Sequence, residues 1–74
     1  MKIDNFKKYG MDYNVKMNER NAVLLEVTKD DKVLGYEVHD VSDGKLASSS
    51  QFGRKGWFFI NGYNALSKFY EVRK

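Results

Sequence analysis

The sequence contains no cysteine and no proline. Without thiols, neither a disulfide framework nor a thiolate metal site is open to it, and the composition fits a reducing compartment. No apolar run approaches the roughly eighteen residues that a membrane span needs. The opening Met1-Lys2-Ile3-Asp4-Asn5 lacks the apolar stretch of a secretory signal, so a cytoplasmic location with no membrane partner is expected. No Gly/Ser linker, repeat or heptad pattern is present. Histidine and tryptophan occur once each, as His39 and Trp57.

The signatures of catalysis are missing too. Ser48-Ser49-Ser50 carries hydroxyls but no G-x-S-x-G elbow. Gly53-Arg54-Lys55-Gly56 has two glycines and two cations without the spacing of a phosphate-binding loop. Asp30, Asp31, Asp40 and Asp43 sit at turn positions, with no calcium-loop spacing. One histidine and scattered carboxylates make a poor metal site, which takes three or four ligands. On alternation His39 falls beside Glu37 on the polar face of a strand, where it is expected to be exposed. A non-enzymatic protein without a cofactor is expected.

What remains is 74 residues, enough for a single domain spanning 1–74. Aromatics make up 15% of the chain and must fill a core that has no other reinforcement. Ile3, Phe6 and Tyr9, three apart, suggest a helical turn ended by Gly10. Tyr13, Val15 and Met17 then alternate with Asn14 and Lys16, the period of a half-buried strand. Asn18–Asn21 reads as a turn, Ala22–Thr28 as the clearest strand and Asp30-Asp31 as a tight turn into Val33–Val41. Ser42-Asp43-Gly44-Lys45 carries an Asp-Gly hairpin signal, which leads into Lys45–Gln51 as a polar edge strand. Trp57–Ile60, apolar at every position, reads as a strand covered on both faces.

After Asn61-Gly62 two readings compete. As a hairpin turn this pair makes the fold a small all-β barrel. As a cap it starts a helix, with Tyr63, Leu66, Phe69 and Tyr70 at helical spacing. The helix is the preferred reading. The expected fold is α+β: an antiparallel meander of four to five strands with one C-terminal helix packed on it.

Charge is divided unevenly along the chain. Residues 1–44 hold seven Lys/Arg against nine Asp/Glu, a balance of −2; residues 45–74 hold six against one, a balance of +5. The second half also contains Lys55-Gly56-Trp57-Phe58-Phe59-Ile60-Asn61-Gly62. This stretch partly resembles the octapeptide of the RNA-recognition motif, although Phe58 and Gly62 depart from it. That family needs a helix between its first two strands. Residues 12–55 read as successive strands, so the family is not assigned. A weaker expectation survives, in which Arg54, Lys55, Lys68 and Arg73 contact phosphates while Trp57 and Tyr63 stack on bases.

Two functions therefore compete. In the first, the chain is a small protein-interaction module, regulatory or inhibitory, that binds another protein or itself through the edge strand at Lys45–Gln51. Its Lys, Asn, Tyr and Phe content is compatible with a phage or mobile-element protein. In the second, the basic, aromatic C-terminal half binds nucleic acid without sequence preference.

Overall fold

The computed structural model describes residues 2–74. Along the chain come β1 (Phe6–Lys8), β2 (Met11–Glu19), β3 (Ala22–Lys29) and β4 (Lys32–Asp40). A 3-10 turn (Ser49–Gln51), β5 (Gly56–Phe59) and α1 (Gly62–Val72) complete it. The five strands form one antiparallel sheet in the order β1-β2-β3-β4-β5. This sheet is not closed into a barrel, and α1 packs against one of its faces. The α+β meander expected from the sequence is the fold observed.

Two-residue turns make the meander possible. Tyr9 and Gly10 (φ 56° and 73°) join β1 to β2, and Asp30 and Asp31 (φ 52° and 65°) join β3 to β4. Left-handed conformations at both turn centres match the twist of the flanking strands. The helical turn expected over Ile3, Phe6 and Tyr9 is not formed. Gly10 lets the chain reverse at once, which sets Phe6 opposite Tyr13 with their rings stacked at 4.7 Å.

Central β3 is buried on both sides. Val23, Leu25 and Val27 join Tyr13 and Val41 in the core of the helix-free face, whereas Ala22 and Leu24 join Val38, Ala65 and Phe69 under the helix. Strand β2 starts on the same alternation, but the pairing shifts between Val15 and Met17. A bulge adds a residue to one strand and turns the side chains beyond it to the other face. Met17 thus packs on the helix side rather than beside Tyr13 and Val15, a correction to the uniform period.

The helix begins where Asn61 Oδ1 accepts from the backbone N–H groups of Tyr63 (2.7 Å) and Asn64 (3.3 Å). Ala65 and Phe69 on its inner side are fully buried. Asn21 holds the far end, donating to the Val72 carbonyl (3.0 Å) and accepting from Lys74 N–H (2.8 Å).

Residues Lys45–Gln51 are not a strand. The edges of the sheet are β1 and β5, so self-association through an edge at Lys45–Gln51 has no basis in the fold. Val41 turns inward and Leu46 packs against the core of the helix-free face. The segment therefore folds back over that face, and β5 takes the place beside β4. Nor is β5 covered on both sides, because it is an edge strand with the helix on one face. Phe58 is 47% and Ile60 76% exposed.

Candidate functional site

The six residues expected to bind nucleic acid come from the turn before β5, from β5 itself and from α1 with its C-cap. Trp57 and Phe59 do share a face, as strand alternation requires, but that face is the one α1 covers. Trp57 is half-buried, with the Lys68 ammonium 5.0 Å over its ring. Lys55 pairs with Asp43 (2.9 Å), Lys68 with Glu71 (3.1 Å) and Arg73 with Glu19. Arg54 is exposed in the turn before β5, and Tyr63 is 77% exposed. Ten residues of helix, about 15 Å at 1.5 Å per residue, separate Tyr63 from Arg73.

The opposite face holds a different arrangement. The segment after β4 folds over the helix-free side, and between it and β1 with the β1–β2 turn lies a cleft of about 310 Å³. Four aromatic rings line it: Phe6 and Tyr13 as a stacked pair, Tyr9 at the β1–β2 turn, and Phe52 after the 3-10 turn. Glu37 and His39 of β4 also line it, since residues two apart on a strand share a face.

His39 is only 3% exposed, which corrects the expectation of a solvated strand histidine. Its position on the face opposite Tyr36 and Val38 is the one alternation implies, but the returning segment covers that face. The Ala47 backbone N–H donates to His39 Nδ1 (3.0 Å), and His39 Nε2 lies 2.8 Å from Glu37 Oε1. A nitrogen that accepts an N–H carries no proton, so the ring is the Nε2–H tautomer and donates to Glu37. Phe52 closes the arrangement, edge-on to the imidazole at 5.5 Å.

Two consequences follow for the chemistry. Both imidazole nitrogens are engaged by the protein, which leaves neither to take a proton from a nucleophile. The neutral imidazole also leaves the negative charge of Glu37 uncancelled. No described side chain donates to Glu37 Oε2, and the Glu37 side chain is 16% exposed, opening to the cleft. Burial first, then the charge of Glu37, raises the Tyr13 phenol above its ordinary range. Lys8, an exposed side chain, also lines the cleft, with its ammonium 5.1 Å over the Tyr9 ring.

Among the described residues, no three His, Cys, Asp or Glu side chains cluster to hold a metal ion. No helix among them is long and apolar enough to cross a membrane.

Sequence reasoning missed this cleft. Its parts lie at residues 6–13, 37–39 and 46–52, and only the returning segment brings them together. One signal was available in the period-2 relation of Glu37 and His39. Phe52, a lone aromatic in a polar stretch, was another.

Comparison with known proteins adds no relative: no protein-family model, no curated protein and no solved structure matches the chain.

Proposed function

We propose that the chain is a small protein-binding module, regulatory or inhibitory in effect, which holds a side chain of its partner in the cleft of the helix-free face. The observation that carries this reading is the cleft itself, four aromatic rings around one uncompensated carboxylate. Concave sites lined by aromatics with a few fixed polar groups are where proteins hold ligands. The volume, about 310 Å³, suits one long side chain rather than a large ligand. Binding rather than catalysis is proposed because His39 has no free nitrogen.

The nucleic-acid reading has less to support it. Three of its four cations are paired with carboxylates, and its tryptophan lies beneath Lys68.

Selection from a display library of short random peptides tests the proposal. Tyr9→Asn suits that residue's left-handed backbone, and Phe52→Ala removes the ring against His39. Selected peptides are expected to lose binding to both variants and keep it on Arg54→Gln. Peptides that ignore the cleft variants but lose Arg54→Gln would overturn the reading.

A further inference from the structure

We infer that the residue captured in the cleft is a lysine of the partner protein, its ammonium held by Glu37 and its methylene stem by the surrounding rings. This rests on the binding role proposed above and names the chemistry of the occupant. Glu37 is the only acidic group lining the cleft, and its hydrogen bond from a neutral imidazole leaves a full negative charge there. An anion is repelled. A neutral apolar chain would bury Oε2, the oxygen His39 does not engage, without a partner, which is costly. A cation gains the carboxylate and the faces of the aromatic rings together.

Lysine fits better than arginine because of how Glu37 is already engaged. With Oε1 taken by His39, the other oxygen, Oε2, is left for a contact at a single point. An ammonium on a flexible stem makes such a contact, whereas the rigid guanidinium fork is matched to both oxygens of a carboxylate. The stem runs through the apolar part of the site, as long cationic side chains do elsewhere. Lys8, whose ammonium rests over the Tyr9 ring, shows that this aromatic lining accepts an ammonium. It is an exposed side chain on β1 and makes no ion pair with Glu37, whose carboxylate is engaged by His39 alone.

His39 acts as a positioning residue. Through Ala47 it ties the returning segment to β4, and through Nε2 it fixes the Glu37 carboxylate. Glutamine at position 37 retains a carbonyl oxygen for the His39 N–H, so Glu37→Gln removes the charge while the segment stays in place.

The test is an NMR titration of the whole chain with three small probes: the Nα-acetyl amides of lysine, norleucine and arginine. The lysine probe is expected to shift the ring signals of Tyr13 and Phe52 and to bind about tenfold more tightly than norleucine. In Glu37→Gln that preference should vanish while the spectrum of the free protein keeps its dispersion. Equal binding of lysine and norleucine in the wild-type chain would overturn the inference, whether or not the variant folds. So would tighter binding of arginine, or binding by none of the three. Each of those results leaves the protein-binding reading to the peptide selection, which fails only if selected peptides avoid the cleft.

Discussion

Asp40 is where a single carboxylate does most to fix the end of β4. Its Oδ1 accepts from Ser42 N–H (3.0 Å) and from Asn21 Nδ2 (3.2 Å). Burial alone raises the Asp40 pKa, but hydrogen bonds from Ser42 and Asn21, with the charge of Lys55, outweigh it and leave the carboxyl below its ordinary range. Asp43 is lowered as well, chiefly by its hydrogen bond from Lys55. A depressed folded-state value means stability that is fully present above the unfolded-chain value of about 4 and is lost as pH falls below that value and through the lower folded one. Urea midpoints should therefore hold from neutral pH to about pH 5 and then fall. Asp40→Asn should flatten that fall, which midpoints of both proteins taken across the acid range will show.

Residue-level legibility was uneven. Asp30-Asp31 was readable as a turn because its chemistry is local. The burial of His39 was not, because it depends on a bond from Ala47, eight residues away, within a segment whose path the sequence does not announce.

Among the elements, α1 shows local signals agreeing with the tertiary ones. Asn61 caps two orphan N–H groups, and the inward Ala65 and Phe69 meet Leu24 and Val38 of the sheet. Asn61→Ala should destabilise the protein by about 1 kcal/mol, a typical loss for an N-cap. Chemical denaturation will read it as a lowered midpoint at unchanged slope; no shift would mean that packing alone starts the helix. Lys45–Gln51 shows the opposite case. Its Asp-Gly signal marks a real bend, with Gly44 at φ 85°, but the polar residues beyond it have little to bury on a strand. Leu46 and Ala47 decide the path by reaching the core and His39 instead. The strand at β1 escaped notice for a related reason. Its three residues gain their conformation from pairing with β2, while the three-residue spacing of Ile3, Phe6 and Tyr9 imitates a helix.

For the whole molecule, the fold class was legible because alternation along β2 to β4 and helical spacing after Asn61 are strong, separate patterns. Compact dimensions of 33 × 23 × 22 Å follow from closing one open sheet with one helix. The cleft was not legible, because the charge imbalance between the halves drew the reading to the C-terminal half. Positive residues in the C-terminal half are partly spent on ion pairs with Asp43, Glu71 and Glu19, whereas the one acid that lines the cleft lies in β4. The two faces of the sheet differ accordingly. One carries α1, and the other is partly covered by the segment after β4, which leaves a cleft against β1 and the β1–β2 turn.

The most direct test maps backbone amide shifts at low salt as the protein is titrated with a selected peptide, and then with a single-stranded oligonucleotide. The account predicts that the peptide moves Tyr9, Tyr13, Glu37, Ala47 and Phe52 together, and that the oligonucleotide moves nothing that survives moderate salt. Shifts clustered at Arg54, Tyr63, Lys68 and Arg73, strong with oligonucleotide and absent with peptide, would contradict it and place the function on the basic C-terminal half.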